Sequence, residues 1–579
     1  MAETKARKIA GLIDNTGDVK TLHLDNVPNA VGIVGTQVYS SPSSLPTTGL
    51  SSGDQAFVTS NQRLYITNGA GWYNVAAINA TPRFTTSPNA TYDLSNDLSA
   101  TVITMVAQDS DGQSVTYSAT DSGMAGIATV SNDSGVFTIT PLTDSAGGTV
   151  GTFTLTFTAT DGIGIASVLS TFTLSFGPDW SSTPTLTAVT ASDGASGDYF
   201  GESMDISGDG AYAIISASAN DDTASASGSA YVYTVDGSSA FAQQAKLNSS
   251  DPTGNVYFGD TCKLNTDGTY AIIGARGETN ASGTAVGAAY IFTRSGTSWS
   301  QQAKISPTSA LDNGDHFGRP CAISGDGTYA AISATNYSHT AYQTGRVYIY
   351  TRSGTSWSQQ AAIESPTVGT SAHQNFGQAI AINSDGTYLV ASTLYTSKAW
   401  VFTRSGTSWS QQDELDYSDA YNTYDRFGGA NHAIALSGNN YCIVGAHDED
   451  GGAGDGTTDK GAAYVFTRSG STWSQQAKLV ASDGAAGAKF GYSVDFNSDA
   501  TLAAVGARSA TINGASGAGA IYVFSRDGTT WTQVAKLDRG SNAGVNNKTG
   551  QTCAIAPNGN FVISSVPYVT NGTTYVWDV

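Results

Sequence analysis

The six histidines, His23, His316, His339, His373, His432 and His447, are the first candidates for acid–base or metal chemistry, and they are scattered. None forms a His-x-x-x-His or Glu-x-x-His pair, the spacings that put two ligands on one helical face. The chain also has no phosphate-cradling glycine loop, and its one Gly-x-Ser-x-Gly run, GLSSG at 49–53, falls in a Ser/Pro/Thr-rich stretch that reads as loop rather than as a strand-to-helix nucleophile elbow. Aspartate is plentiful, so a carboxylate pair for glycan cleavage stays compatible with the sequence, but nothing singles one out; the expectation is a protein that is not an enzyme. Two acidic groups are candidate Ca²⁺ ligands: Asp109, Asp111 and Asp161, and the Gly-rich run holding Asp448, Glu449, Asp450, Asp455 and Asp459. Asp-Gly is also ordinary turn chemistry, and a Gly-rich acidic loop is commonly just solvated. No other cofactor is indicated. A third group is aromatic. Tyr337, Tyr342, Tyr395, Tyr417, Tyr421 and Tyr424 sit in three loops. Each offers a flat apolar ring with a polar tip, suited to glycan or protein surfaces or to packing its own loop.

What must position these residues is a repeat. Phe-Gly recurs at Phe200, Phe258, Phe317, Phe376, Phe427 and Phe490, and a degraded seventh copy begins near Thr549-Gly550. A fixed period of this size marks a repeat architecture. Each copy divides into four strand candidates, as in DTCKLN, YAIIGA, AAYIFTR and SWSQQAKI. Asp267-Gly268 and Ser295-Gly296 are the hairpin turns of that copy. The second and third strands are nearly continuous apolar runs, which need cover on both faces, and neighbouring blades of a propeller provide it. Lys and Gln on the fourth strand suit an outer edge that must not recruit another strand. The last copy stops at TTYVWDV, without a fourth strand, while DWSSTPTLTAV stands before the first. Trp180 to Leu186 has the same length as Trp531 to Leu537, so Trp180–Leu186 is the expected closing strand of a seven-bladed ring. Cys262, Cys321 and Cys553 share a slot with Met204, Ile380 and Val494, which reads as a buried apolar position.

Alternating strand directions put the short, uniform turns (GDGTY, TRSGTSW) on one face and the long, unlike loops on the other. The tyrosine loops fall on the long-loop face, which is therefore the candidate binding face. Phe-Gly, the internal Gly-Ala and the blade length resemble the FG-GAP repeats of integrin α-subunit propellers and their bacterial relatives, over residues 180–579. Calcium-binding members of that family carry Asp-x-Asp-x-Asp-Gly after the first strand. This chain has SGDG, NTDG and NSDG there, too few carboxylates for the ion.

Two modules precede the array, giving an all-β chain in three parts: 1–81, 82–177 and 178–579. Residues 82–177 alternate apolar and polar positions in VFTITPL and TFTLTFTATDG, as a β-sandwich does. AQDSDGQSVTYSATDSG resembles immunoglobulin-like and cadherin-like repeats, whose calcium-binding members imply the role of Asp109, Asp111 and Asp161. In residues 1–81, Phe57, Leu64, Ile66, Trp72 and Val75 flank an Asn68-Gly69 turn, a hairpin signal. GDQAFVTSNQRLYITNGAGWYNVAAINATP resembles attachment modules in structural proteins of T4-like tailed phages of marine cyanobacteria. That resemblance implies a virion structural protein with an N-terminal attachment module. It would be a tail-associated fibre or adhesin, or alternatively an architectural head, decoration or baseplate part; a cell-surface adhesin or polysaccharide-active enzyme is the third reading. The expected partners are other virion proteins, a host-surface glycan or protein, and further copies of the chain in a homotrimer. A net charge of −21 opposes nucleic-acid binding. With no long apolar run and no signal peptide, the expectation is synthesis in the host cytoplasm, a place in the virion and no membrane insertion.

Overall fold

A computed structural model describes residue 37 onward, apart from 53, 61–62, 78–80, 95–99, 110–113, 143–150, 163, 175–179, 181–182, 237–238, 308–310, 339–341, 368–373, 418–423, 451–458 and 570. The chain divides into two compact units, Met1–Gly177 and Pro178–Val579.

The first unit is built of small sheets. Gln37–Tyr39, Gln55–Val58, Arg63–Thr67 and Trp72–Ala77 form one, in that order. Its hairpin turns at Asn68, whose side-chain oxygen accepts the amides of Ala70 and Gly71 at 2.9 and 3.2 Å. Beyond it, a sheet of three strands (Thr101–Thr104, Ala128–Asp133, Val136–Pro141) and one of four (Thr91–Leu94, Thr116–Ser122, Gly151–Thr160, Ile165–Leu174) share one core. Alternate residues point into it, so Phe153, Leu155 and Phe157 are buried along one strand. The rings of Phe137 and Phe157 meet edge to face at 4.8 Å.

The second unit is a seven-bladed propeller of four-stranded antiparallel sheets. In blade 2 the strands are A (Phe258–Leu264), B (Tyr270–Ala275), C (Ala288–Ser295) and D (Ser298–Ile305). Blades 1 and 3–6 occupy residues 200–247, 317–363, 380–414, 434–479 and 490–537; blade 7 joins 553–578 to Thr185–Val189. Strands A of successive blades touch around the axis. Strands B and C are buried because the next blade covers them, and Phe258, Ile273 and Tyr290 belong to one core between blades 1 and 2. The glycine of Phe-Gly is required by that packing. Gly318 has φ +98°, and a Cβ there would meet the Ala288 carbonyl at 2.3 Å.

Strand D is polar for a reason beyond edge protection: its residues tie blades together. Trp299 Nε1 donates to Gln244 of the preceding blade at 2.9 Å, and Trp357, Trp409, Trp473 and Trp531 repeat the bond to Gln302, Gln360, Gln412 and Gln476. The Lys of the same strand pairs with carboxylates on the long-loop face, as Lys304 does with Asp251 (2.6 Å) and Glu278 (3.0 Å). On the opposite face the Arg of Thr-Arg-Ser stacks on a tyrosine of the blade before, Arg294 on Tyr212 at 4.1 Å.

The ring closes as expected, but in a different register. The closing strand is Thr185–Val189, not Trp180–Leu186, and it runs antiparallel to Thr574–Asp578. Trp180 does take the interblade place of the other strand-D tryptophans, buried against Leu537, Ile555 and Trp577 with Nε1 donating to the Gly559 carbonyl at 3.1 Å. Three extra residues then follow. Val189, paired with Thr574, takes the slot that Ile305 fills in blade 2, while Leu186 is 39% exposed.

Candidate binding site on the long-loop face

In every blade the residue before the Phe-Gly pair (Thr-Gly in blade 7) lies in the left-handed region. Tyr199, Tyr257, His316, Asn375, Arg426, Lys489 and Lys548 all have φ between 49° and 63°. Non-glycine residues rarely hold this conformation, which costs of order 1–3 kcal/mol where it is imposed. The cause is local. The next residue is pinned to the preceding blade, Phe258 N–H to the Ser227 carbonyl (3.1 Å) and Phe317 N–H to the Val286 carbonyl (2.9 Å). The chain must turn sharply into that bond.

The backbone is thus repeated, but the side chain is not. The seven positions carry Tyr, Tyr, His, Asn, Arg, Lys and Lys. The position just after strand B varies as widely, with Ser218, Arg276, Thr335, Thr393, His447, Arg508 and Pro567, Val566 still pairing with Thr573 as the end of the strand in blade 7. So does the second residue after the phenylalanine, with Glu202, Asp260, Arg319, Gln378, Tyr492 and Gln551; blade 5 has an insertion there that brings in Asn431 and His432. These positions flank the two innermost strands on the long-loop face, so together they form the mouth of the axial channel. The opposite face repeats Asp-Gly at 209, 267, 326 and 385.

The mouth is cationic in an acidic chain. Arg276, Arg319, Arg426, Lys489, Arg508 and Lys548 are six of its 26 Lys and Arg. Arg276 pairs with Asp260, which Arg319 also approaches at 3.4 Å. Asp448 takes Lys489 at 2.8 Å and Arg426 at 3.7 Å. Burial, and then Arg319 and Arg276, push His316 down to about 4. Burial also pushes His447 down to about 4; Asp448 opposes the shift, and Lys489, Arg426 and Arg508 reinforce it. Both imidazoles are therefore neutral near pH 7. Aromatic rings line the same opening: Arg276 lies over Tyr257 at 4.1 Å and Arg508 over Tyr492 at 4.2 Å. Tyr199 and Tyr568 pack edge to face at 5.2 Å.

Deeper in the channel is a cavity of about 230 Å³ lined by strand-A residues, among them Asp205, Lys263, Asp495, Cys262, Cys321 and Cys553, and by His432 of the blade 5 insertion. Lys263 pairs with Asp205 at 2.8 Å. Burial raises Asp495 to about 6, against the pull of Lys263 and of the Ile555 amide, whose N–H bonds the carboxylate at 3.0 Å. The four cysteines are buried and free. Burial raises Cys262, Cys321 and Cys553 to about 12, which leaves them as thiols, poor nucleophiles and poor metal ligands.

The six tyrosines named from sequence do not form one surface. Tyr342, Tyr395 and Tyr424 are exposed, at 60%, 46% and 75%. Tyr337 is buried in the core between blades 2 and 3 beneath Arg346, whose guanidinium lies 4.2 Å from the ring. Tyr417 stacks on Phe427 at 4.8 Å and donates to Asp425 at 3.2 Å, so it holds its own loop. Tyr421 lies outside the described residues. Of the acidic candidates, Asp111 and Asp455 also lie outside them. Asp161 Oδ1 accepts the Gly164 amide at 2.6 Å in a turn, and Asp109 precedes the undescribed run 110–113. Asp448 is committed to Lys489 and Arg426, Glu449 to Lys478 at 3.0 Å, and Asp450 to the Asp459 amide at 2.8 Å. Among the described residues no group of three His, Cys, Asp or Glu is placed to hold a metal ion. The Asp-Gly turns use their carboxylates internally. Asp267 accepts from Asn265 Nδ2 (2.8 Å), Thr269 N (3.1 Å) and Thr269 Oγ1 (2.6 Å), and these bonds outweigh burial to hold it below the usual carboxylate range.

The family model described as FG-GAP repeat matches residues 180–233, 241–292, 299–350, 409–466 and 473–524. This is an FG-GAP repeat β-propeller protein. Each match runs from strand D of one blade to strand C of the next, so the first one, starting at Trp180, already contains the closing strand. Solved structures similar to this FG-GAP propeller protein include hydrazine synthase of Kuenenia stuttgartiensis (13% identity, 68% of this chain and 98% of that one, TM-score 0.42). The periplasmic gluconolactonase PpgL of Pseudomonas aeruginosa is another (14% identity, 67% and 93%, TM-score 0.39). A third is a putative 6-phosphogluconolactonase from Bacteroides fragilis (11% identity, 67% and 91%, TM-score 0.40). No curated protein matches the chain.

Proposed function

We propose that this FG-GAP propeller is the ligand-binding end of a virion structural protein, a tail-associated fibre or adhesin that touches the host surface without catalysing a reaction. One observation carries the binding part of this reading. Side-chain variety is concentrated on one face: three sets of equivalent positions change from blade to blade at the axial mouth, while the turns of the other face repeat. Rigid blades presenting unlike loops are how such scaffolds bind. The exposed Tyr342, Tyr395 and Tyr424 extend the surface outward over blades 3–5. The virion part rests on the resemblance of residues 8–82 to phage attachment modules, which would join the chain to other virion proteins, and the homotrimer goes with that part.

The test is binding of the full chain to host cells and to a glycan panel, with immunogold location on intact particles. Saturable binding that falls in a Tyr342, Tyr395 and Tyr424 triple alanine variant supports adhesion. Particle labelling without any cell or glycan binding supports instead a purely architectural virion part. The inward packing of Tyr337 and Tyr417 is the observation that favours this second reading. Absence from particles removes the virion assignment altogether.

A further inference from the structure

Arg508 and Lys548 stand apart from the other cations of the mouth. Arg276 and Arg319 share Asp260, and Arg426 and Lys489 share Asp448. Among the described residues no carboxylate pairs with Arg508 or Lys548. They lie on adjoining blades, Arg508 after strand B of blade 6 and Lys548 before strand A of blade 7. The two segments are in contact, since a Cβ on Gly550, two residues after Lys548, would meet the amide of Ala507, the residue before Arg508, at 3.0 Å; burial, and then Arg508, lower the Lys548 ammonium below its usual value. A chain with 47 Asp and Glu has carboxylates in abundance, yet Glu202, a carboxylate that blade 1 brings to this sector, accepts from Ser218 and forms no ion pair with either cation. An anion bound between them would relieve that repulsion.

The rings beside them narrow the kind of anion. Tyr492 lies beneath Arg508 at 4.2 Å. Across the seam between blades 7 and 1, Tyr568 and Tyr199 pack at 5.2 Å and stay 45% and 38% exposed. An exposed tyrosine offers a flat apolar face to the C–H side of a sugar ring and a hydroxyl to its edge. A neighbouring guanidinium takes a carboxylate or sulfate through paired charge-assisted bonds. The net charge of −21 works against a densely charged phosphate polymer and selects for a sparsely charged chain.

We propose that the blade 6–7–1 sector of the mouth binds an anionic saccharide, with Arg508 and Lys548 holding its carboxylate or sulfate and Tyr568 and Tyr199 its ring. This rests on the reading of the propeller as a surface-binding module and names the class of ligand.

The test is calorimetric titration of the full chain with four probes: a galacturonic-acid tetramer, its carboxyl-reduced form, a sulfated tetrasaccharide and a tetraglutamate peptide. At least one acidic sugar should bind saturably and at least tenfold more tightly than the carboxyl-reduced tetramer; which one does so separates carboxylate from sulfate. The double variant R508Q/K548Q should lose roughly ten- to hundredfold in affinity for that sugar. R508K/K548R should retain most of it. R83Q, a charge change in the other unit, should leave it unaltered, and unchanged thermal melting guards against misfolding. Equal binding of acidic and reduced tetramers, full affinity in R508Q/K548Q, tetraglutamate binding as tightly as the sugars, or no sugar binding at all overturns the proposal. Cell binding by the same preparation separates the two readings: cells bound but acidic sugars ignored removes the saccharide assignment alone, and neither bound removes both.

Discussion

Closure of the ring makes a prediction that turns on three residues. Trp180, Leu186 and Val189 all lie at the entry to the propeller, and length alone places Leu186 where Leu537 sits in blade 6. The structure puts Val189 there instead. Trp180 is 3% exposed, packs between blades 6 and 7 and donates to the Gly559 carbonyl. Trp180→Ala should cost about 3–5 kcal/mol, the range for a large buried ring lost from a packed core. Val189 is 7% exposed among Phe200, Ile563 and Val576. Removing its two methyl carbons should cost about 2 kcal/mol, from ~0.8 kcal/mol per buried methylene plus a small cavity term. Leu186, 39% exposed, should lose under about 1 kcal/mol on truncation. The measurement is urea unfolding of the full chain followed by tryptophan fluorescence, comparing midpoints at constant slope in the transition of the propeller. If Leu186→Ala destabilises as much as Val189→Ala, the closing strand is in the other register. If Trp180→Ala is neutral, the seam is not closed by this segment, and the shared axial mouth loses its foundation.

Other outcomes follow from the same geometry. His316 and His447 are held near 4 by burial and neighbouring cations, and His432 near 3 by burial, Lys263 and Arg319. The unfolded chain protonates these groups near 6.5, so the stability they contribute is full above that pH and is lost as pH falls toward 4. By pH 5 each accounts for about 2 kcal/mol. Asp495, raised to about 6, acts in the opposite sense, its contribution full below the ordinary carboxylate range and lost as pH rises through 6. Three histidines against one aspartate should lower the melting temperature between pH 7 and 5, and His316→Asn should flatten the slope; a melting temperature that rises toward pH 5 contradicts this account. Gly318→Ala should cost roughly 3 kcal/mol, because its Cβ meets the Ala288 carbonyl at 2.3 Å. Gly354→Ala, with φ +60° and open space, should cost about 1 kcal/mol, so equal melting shifts would show that blade-to-blade contact is not what Phe-Gly serves. Tyr395→Ala and Tyr424→Ala should leave melting within a degree or two and weaken surface binding, whereas Tyr337→Ala and Tyr417→Ala should lower melting by several degrees.

The blades were legible in the sequence because their physics is local and repeated. Phe-Gly, the Asp-Gly turn and the apolar runs of strands B and C each answer a constraint that recurs in every copy, so seven imperfect statements of one rule reinforce each other. The polar strand D was half legible. Its Lys and Gln read as an edge device, and the interblade bonds from Trp299 to Gln244 and its four counterparts appear only once one blade is set beside the next. The register of the closing strand was lost because it occurs once: with no second copy to compare, equal spacing from Trp180 favoured Leu186, and the three additional residues that carry Val189 into the core leave no mark in composition.

The site was hidden for a different reason. Tyrosine-rich loops draw the eye because they cluster in sequence, but clustering in sequence is not convergence in space, and Tyr337 and Tyr417 turn inward to hold their own loops. The axial mouth takes a few side chains from each blade, with equivalent ones separated by about the repeat length, so no window of the sequence shows it. Aligning the copies would have exposed it. The residue before Phe-Gly runs Tyr, Tyr, His, Asn, Arg, Lys, Lys beside a pair that departs from Phe-Gly only at Thr549, and a position that keeps a strained backbone yet varies its chemistry is under a constraint that packing does not supply. In a repeat protein the invariant positions describe the scaffold, and the chemistry sits where equivalent positions disagree.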